Sequence, residues 1–309
     1  MSPGSSVVLG TRGSRLALTQ AEACADRLRE AGLAVKVRVV KTTSEQHPET
    51  PLSVLDQRDV FTRQLDEALL RGGIDLAIHS LKDVPTELPD GIVLAAITER
   101  HDPRDALVSE AGYTVEDLPD AAVVATSSLR RRAQLLHHRP DLQIVGIRGN
   151  VDTRIRKVRE GAADALVLAR AGIERLGLDA AYTAIEPDVM LPAVGQGALA
   201  AATLADHPLR ETIHAALDHA PSALATRAER AMLRTLEGGC RVPVGALGWV
   251  MDDAEVWLRG VVASTDGALV YRGEAVGGSP EEIGERLARD LLEQGAAIVL
   301  GEVRQVRSS

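Results

Sequence analysis

The chain has few aromatic side chains, few cysteines and no long apolar run. Aromatic residues make up 2% of the 309 positions, and Phe61 is the one phenylalanine. A protein that stacks nucleic-acid bases normally needs more aromatic side chains. No stretch approaches the ~20 apolar residues of a membrane helix, and residues 1–11 lack a basic region followed by an apolar core. We therefore expect neither a membrane span nor a secretory signal.

The two cysteines, Cys24 and Cys240, exclude a disulfide scaffold and a four-cysteine zinc site. So small a number fits a reduced, cytoplasmic setting, and we expect no metal. The net charge of −9 disfavours a nucleic-acid partner. The 35 basic residues include 31 arginines and only four lysines. A GC-rich genome is one explanation of this bias, and recognition of carboxylates or phosphates by the planar guanidinium group is the other.

Strand and helix patterns alternate in the first third of the chain. Apolar runs at residues 7–9 and 74–78 predict strands, as does the alternation of apolar and basic residues at 35–39. Helical periodicity covers residues 16–28 and 61–70. This alternation predicts an α/β sheet, whose ligands lie beyond the carboxyl ends of the strands. Residues 42–59, with Pro48 and Pro51, read as a long loop.

A weak internal repeat indicates two similar domains. Residues 122–128 repeat the pattern of residues 8–14, and residues 161–168 repeat that of residues 72–78. We expect two α/β domains with a ligand cleft between them, although chance similarity of apolar strands is the alternative. A hairpin and a helix near the end of the chain predict a small α+β domain. The expected domains are residues 1–98 (completed by 199–217), 104–193 and 221–309.

Positive charge is concentrated in residues 127–160, which hold nine basic and three acidic side chains. Arg130 and Arg131 come just after three hydroxyl residues, Thr126, Ser127 and Ser128, at a strand-to-helix turn. Hydroxyls and unpaired backbone N–H groups at a helix start bind anions. Arg12 and Ser14 occupy the equivalent turn of the first repeat. The segment therefore indicates a polyanion site, with a solvated helix face as the alternative.

Two further motifs contain groups capable of chemistry. Asp83 beside Lys82 is either a surface pair or a carboxylate that steadies a developing cation or moves a proton. Cys240 follows Gly238 and Gly239, which permit the close approach of a ligand, and Arg241 beside it would favour the thiolate. A small apolar cysteine in a turn is the alternative.

Six stretches, in order, resemble the porphobilinogen deaminase (hydroxymethylbilane synthase) family. They are residues 10–17, 79–85, 125–131, 148–154, 191–197 and 237–245. The resemblance implies two α/β domains like those of periplasmic binding proteins and a third domain that carries the cysteine. It implies a transferase that joins four porphobilinogen molecules into hydroxymethylbilane and releases ammonia. The polymer grows on a dipyrromethane primer that a thioether attaches to Cys240.

The resemblance also assigns roles to individual residues, and acetate and propionate groups on every pyrrole account for many arginines among them. Asp83 would be catalytic. Cofactor binding would fall to Cys240, Ser14, Lys82, Thr126, Ser127, Ser128, Arg130, Arg131 and Arg148. Substrate binding would fall to Arg12, Arg154, Arg175 and Ser80. The family further implies a cytoplasmic monomer of haem and other tetrapyrrole biosynthesis, without nucleic-acid or membrane partners.

The implied mechanism centres on Asp83. Its carboxylate steadies the pyrrole N–H while ammonia leaves, and the resulting azafulvene is attacked by the free α-carbon of the terminal pyrrole. A proton then leaves that carbon through Asp83, and water captures the last azafulvene after four rounds. Movement of a lid or domain is expected as the polymer grows.

The sequence departs from the family pattern at three places. The loop has lost glycines and gained acids at residues 42–45 and 57–61. Asp152 replaces a common asparagine. Arg170 stands where a small apolar residue is frequent, and it could add a cation to the cleft.

Three other functions compete with this interpretation. A non-catalytic anion-binding module fits the two α/β domains but not the glycine-glycine-cysteine turn. A cysteine hydrolase lacks a histidine motif aimed at Cys240. A nucleic-acid binder would use residues 127–160 and would show steep salt dependence.

Overall fold

The computed structural model describes residues 6–41, 62–236, 243–251 and 255–301. The predicted loop at 42–59, Phe61 and Cys240 therefore lie outside the described residues. The chain divides into two compact units, Met1–His101 with Ala198–Ala223 and Asp102–Gly197 with Leu224–Ser309. The expected three-domain division stays a prediction.

The elements follow in chain order. The strands are β1 (Ser6–Thr11), β2 (Ala34–Val39), β3 (Leu76–Ser80), β4 (Ile92–Ile97), β5 (Asp105–Val108), β6 (Val123–Ala125), β7 (Gln143–Val145), β8 (Ala165–Ala169), β9 (Tyr182–Ile185), β10 (Leu199–Leu204), β11 (Val244–Val250), β12 (Val256–Ala263) and β13 (Val270–Gly277). The helices are α1 (Arg15–Glu30), α2 (Arg63–Leu70), α3 (Leu129–His138), α4 (Val151–Arg159), α5 (Arg170–Arg175), α6 (Arg210–Leu217), α7 (Ala220–Thr235) and α8 (Pro280–Leu291). A 3₁₀ turn spans Leu81–Asp83 and a π turn spans Leu292–Ala296.

The first unit is a five-stranded sheet in the order β2-β1-β3-β10-β4. Strand β1 pairs in parallel with β2 and β3, whereas β10 pairs antiparallel with β3 and β4. Helix α1 packs its apolar face, including Ala21 and Leu28, against this sheet. Ser14 caps the helix by accepting a hydrogen bond from the Ala17 N–H at 3.3 Å. Gly32 follows the helix with a φ of +86°, a value that favours glycine.

The second unit contains a sheet in the order β7-β6-β8-β5-β9. It matches the first sheet position by position: β6 corresponds to β1, β7 to β2 and β8 to β3, and the fourth strand is antiparallel in both. The predicted internal repeat is thereby confirmed. Two strands of opposite direction, β5 and β10, were not predicted.

The C-terminal sheet, β11-β12-β13, is antiparallel throughout and packs on α7 and α8. Its β12–β13 turn lies against α3: Arg132 Nε donates to the Thr265 carbonyl at 3.2 Å. Gly267 permits this contact, because a Cβ there would lie 2.6 Å from the Ala133 carbonyl oxygen. The predicted fold class, two α/β domains plus a small α+β domain, is confirmed, although β11 was missed.

This topology determines which loops share an edge. Strands β1 and β3 are parallel neighbours, so the residues after them, Arg12 and Leu81, emerge at the same end of the first sheet. In the second sheet the loops after β6, β7 and β8 emerge together for the same reason. The antiparallel β5 begins at this same edge, where Asp105 pairs with Ala169. Each sheet therefore gathers its predicted site residues at its carboxyl edge.

Candidate functional site

The first unit places Arg12 and Ser14 in the turn from β1 to α1. The Ser14 hydroxyl is engaged in capping α1, and the Thr11 hydroxyl donates to the Ala17 carbonyl at 3.1 Å. Arg12 is half-buried, and its charge reaches His79 on the neighbouring strand β3. The turn is thus held by local hydrogen bonds and presents its arginine next to the end of β3.

Asp83 lies on a 3₁₀ turn directly after β3. The Leu81 N–H donates to the Ala198 carbonyl at 3.0 Å, and the Val84 N–H donates to the Leu81 carbonyl at 3.0 Å. Leu81 and Val84 are buried in one apolar cluster, whereas Lys82 and Asp83 are half-exposed. Apolar anchors on both sides therefore fix the backbone that presents the Asp83 carboxylate. Just before the turn, the Ser80 hydroxyl donates to Gln20 Oε1 at 3.3 Å.

His79 is buried, with 6% of its surface exposed, so we expect it to make the stability of the protein depend on pH. Burial, reinforced by the positive charge of Arg12, lowers the pKa of His79 to about 4. The pKa of a histidine in the unfolded chain is near 6.5. As the pH falls from 6.5 towards 4, His79 is therefore protonated in the unfolded chain but stays neutral in the folded chain, so acid favours unfolding. We expect this residue to cost about 2 kcal/mol of stability between pH 7 and pH 5.

Urea titrations of the wild type and His79→Gln at both pH values check this expectation. The loss should be present in the wild type and largely absent from His79→Gln. Equal pH dependence in the two chains would contradict this expectation.

The second unit places the three hydroxyl residues in the turn from β6 to α3. Ser128 caps α3 by accepting from the Arg131 N–H at 3.4 Å, and Thr126 Oγ1 accepts from the Ser128 N–H at 3.2 Å. The Ser127 hydroxyl donates to the Ile147 carbonyl and accepts from the Ile147 N–H, at 2.7 and 3.0 Å. These hydroxyls thus shape the helix start and bind it to the loop after β7.

Arg130 and Arg131 are buried, and both pair with Asp105, which is 0% exposed. Arg130 Nη1 lies 2.7 Å from Asp105 Oδ2. Arg131 donates to Asp105 Oδ1 through Nε at 3.1 Å and through Nη2 at 2.8 Å. Burial would raise the pKa of Asp105, but the two positive charges outweigh burial and hold that pKa below its ordinary value. Asp105 therefore stays ionised.

Sequence reasoning did not single out Asp105. A signal was present, since an acid that leads directly into the apolar run 106–108 is expected to be buried and paired. Its partners could not be inferred, because they come from a helix that begins 24 positions later in the chain.

Residues 191–197, one of the six stretches that resemble the family, are bound through their backbone to the cluster formed by Asp105, Arg130 and Arg131. Arg130 Nη1 donates to the Leu191 carbonyl at 2.6 Å. Gln134 donates to the same carbonyl at 3.0 Å and accepts from the Leu191 N–H at 2.9 Å. The fully buried Glu229 accepts from the N–H groups of Gly195 and Gly248, at 2.7 and 2.8 Å. The stretch is thus tied both to α3 and to the C-terminal sheet.

Three more predicted arginines lie at or near the carboxyl edge of the second sheet. Arg148 is exposed, and its carbonyl accepts from Lys157 Nζ at 3.1 Å. Arg154 is half-buried and donates through Nε to the Gly149 carbonyl at 2.7 Å. Burial and the charge of Arg131 lower the pKa of Arg154, which places its guanidinium in the field of the buried cluster. Arg175 donates to the Gly197 carbonyl at 2.7 Å.

Two of the sequence departures lie in the described residues. Arg170 pairs with Asp102 and with Glu174, both at 2.6 Å, so its charge is balanced locally. Asp152 Oδ1 accepts from the Thr153 N–H at 2.7 Å, inside the first turn of α4. The expected extra cation at Arg170 is thus largely offset by acids.

The described residues also bear on metals and membranes. Among them, no group of three or more His, Cys, Asp or Glu side chains is placed to hold a metal ion. Within the same ranges, no helix combines the length and apolar character needed to cross a membrane.

Two similar α/β sheets with arginines and hydroxyl residues at their carboxyl edges are typical of proteins that bind anionic ligands. The family model for the porphobilinogen deaminase dipyrromethane cofactor binding domain matches residues 7–211, and that for the C-terminal domain matches residues 223–293. The chain belongs to the porphobilinogen deaminase family. It is accordingly a transferase of tetrapyrrole biosynthesis that polymerises porphobilinogen and uses a dipyrromethane cofactor, which confirms the expected enzyme class over the three alternatives.

Two relatives that are themselves porphobilinogen deaminases agree with this assignment. A porphobilinogen deaminase of Rubrobacter xylanophilus is 64% identical over 301 residues, covering 97% of this chain and 98% of the relative. One of Desulforudis audaxviator is 49% identical over 303 residues, covering 96% and 98%. Among solved structures, the methionine binding protein MetQ superposes with a TM-score of 0.44 at 14% identity, covering 68% of this chain and 89% of MetQ.

Proposed function

We propose that the chain performs the family reaction with Asp83 as its catalytic residue and with the arginines of both sheet edges as binding groups. The reaction joins four porphobilinogen molecules into hydroxymethylbilane and releases ammonia. The observation that carries the proposal is the Asp83 turn, because it presents a half-exposed carboxylate at the end of β3 from a backbone held by hydrogen bonds and buried apolar neighbours. Carboxylates fixed in this manner stabilise a developing positive charge without having to reorganise.

Asp83 would act on the substrate pyrrole in two ways. Its carboxylate accepts the pyrrole N–H while the aminomethyl group leaves as ammonia and positive charge develops on the ring. After the new carbon–carbon bond forms, the same carboxylate removes the proton from the joined carbon. Arg12 and Ser80 lie at or beside the same edge of the first sheet, where they would bind the acetate and propionate groups of the substrate.

The second sheet suits the dipyrromethane cofactor. When bound, this group supplies the primer to which substrate units are added. Arg130, Arg131 and Arg154 form a cluster with net positive charge, and Arg148 lies exposed after β7. Guanidinium groups bind carboxylates in pairs of parallel hydrogen bonds, so Arg130, Arg131 and Arg148 match the side chains of the two pyrroles. Thr126, Ser127 and Ser128 of the second unit are further proposed cofactor-binding residues, as are Ser14 and Lys82 of the first unit. Arg154 and Arg175 are proposed to bind substrate.

The proposed anchor of the cofactor is Cys240, on the sequence grounds of its Gly-Gly-Cys-Arg setting. The intact mass of the denatured chain, followed by peptide mapping, tests the function and the anchor together. We expect an excess equal to two linked pyrroles on the peptide that contains residue 240. An unmodified chain is then incubated with porphobilinogen and weighed again. A chain that still gains no mass and releases no ammonia would contradict the proposed function.

The cellular setting is also part of the proposal. The low cysteine count supports a cytoplasmic setting, and the net charge of −9 disfavours a nucleic-acid partner. Membership of the family suggests a monomer without a membrane partner. Sedimentation of the purified chain at micromolar concentration should give a mass near 32.8 kDa plus the cofactor.

A further inference from the structure

Two buried arginines next to each other need a counter-charge. Arg130 and Arg131 are adjacent in the first turn of α3, and both are nearly inaccessible to water. Burial lowers the pKa of Arg130, Arg131 lowers it further, and Asp105 opposes both effects. Without Asp105, each guanidinium would repel the other in a region with little water to screen them.

Asp105 also fixes the direction of both guanidinium groups. Its Oδ1 accepts three hydrogen bonds, two from Arg131 and one from Gln196 Nε2 at 2.9 Å, while its Oδ2 faces Arg130 at 2.7 Å. Gln196 in turn donates to the Pro103 carbonyl at 2.8 Å. Hydrogen bonds at Oδ1 and the ion pair at Oδ2 together restrain the carboxylate, and the Leu191 carbonyl further orients Arg130.

The charges of the cluster do not cancel. Two guanidinium groups and one carboxylate leave one net positive charge, and Arg154 adds a second within the field of Arg131. Asp105 thus reduces the repulsion between the two buried arginines, and the remaining positive charge can still attract a carboxylate ligand. A second internal acid would halve this net charge and weaken the attraction.

We propose that Asp105 is a positioning residue, a built-in counter-ion that aligns Arg130 and Arg131 for the cofactor carboxylates before the cofactor is attached. This inference rests on the proposed function of the two arginines. It explains why a buried acid lies in a site for polyanions, where an additional negative charge would otherwise weaken binding.

The chain offers a matched control in Asp102. Asp102 also bridges two arginines, Arg104 and Arg170, with both distances at 2.6 Å, but its side chain is 20% exposed and its partners are not among the proposed binding groups. Asp105→Asn and Asp102→Asn therefore remove the same charge from the same type of bridge at two different places.

The experiment measures how fast unloaded full-length chains gain the mass of the cofactor from porphobilinogen, with folding checked by circular dichroism. We expect Asp105→Asn to fold and to load roughly 10- to 100-fold more slowly, because misaligned guanidinium groups bind carboxylates poorly. Asp102→Asn should load at the wild-type rate.

The melting temperature of unloaded Asp105→Asn should also rise more with sulfate than with chloride at equal ionic strength, since sulfate replaces the missing carboxylate.

Each other outcome overturns the inference. A folded Asp105→Asn that loads at the wild-type rate would do so, as would equal slowing in both variants. If Asp105→Asn does not fold, Asp105→Glu retains the charge but displaces it by one methylene group. Slow loading of folded Asp105→Glu would support the positioning role, whereas normal loading, or no folded chain, would overturn it. If the wild type itself gains no mass, the proposed function fails and this inference fails with it.

Discussion

Asp83→Ala should fold normally but consume porphobilinogen roughly 10³- to 10⁴-fold more slowly than the wild type. The side chain is half-exposed and contributes no apolar packing, so its truncation leaves the buried anchors Leu81 and Val84 in place. The lost carboxylate, however, is the group proposed to stabilise positive charge on the pyrrole and to remove its proton. Release of ammonia and disappearance of porphobilinogen measure the effect directly.

Two further variants separate charge from shape. Asp83→Asn keeps the size of the side chain but removes the charge, and it should lose nearly as much activity as alanine. Asp75→Asn is the control at the opposite end of β3, where Asp75 Oδ2 accepts from the Val8 N–H at 2.8 Å. The Asp75→Asn substitution should lower the free energy of unfolding by about 0.5–1.5 kcal/mol and leave turnover within twofold of the wild type. Turnover of Asp83→Ala within tenfold of the wild type would exclude the catalytic role.

Three of the strands that the sequence predicted, β1, β3 and β6, share one property: an apolar run is followed at once by a turn or helix signal. Strand β10 has three successive alanines, which have low strand propensity, and β5 has only four residues. Both owe their conformation to pairing with strands more than fifty positions away in sequence, such as Asp105 with Ala169. Local pattern carries no information on such pairing, so the antiparallel strand of each sheet was missed.

The sequence predicted where the positive charges of the candidate site lie, but not which acidic side chains pair with them. Excess basic residues within 127–160 correctly indicated where positive charge is concentrated. The same count treated Arg130 and Arg131 as groups free to meet a ligand, whereas the structure shows them sharing Asp105. Likewise Arg170 looked like an added cation, and its partners Asp102 and Glu174 became visible only in the fold. Counting basic residues in the sequence locates a positively charged region. The ion pairs formed in the fold determine how much of that charge remains available to a ligand.

Cys240→Ala should abolish covalent attachment of the cofactor, and turnover should fall to background because the growing polymer then has no anchor. The matched control is Cys24→Ala, since these are the two cysteines of the chain. Cys24 is 2% exposed in the apolar core between α1 and the first sheet, where a bulky pyrrole cannot reach its sulfur. Truncation there should lower stability slightly and leave the attached mass unchanged.

The masses of the denatured chains distinguish the two residues cleanly. Denaturation removes every non-covalent contact, so a cofactor held only by arginines is lost and one held by a thioether remains. Wild type and Cys24→Ala should retain the mass of two linked pyrroles, and Cys240→Ala should have the mass of the bare polypeptide. An adduct that survives denaturation in Cys240→Ala would prove a different anchor. Native Cys240→Ala should still bind free dipyrromethane carboxylates reversibly, because the arginine cluster around Asp105 is intact in it.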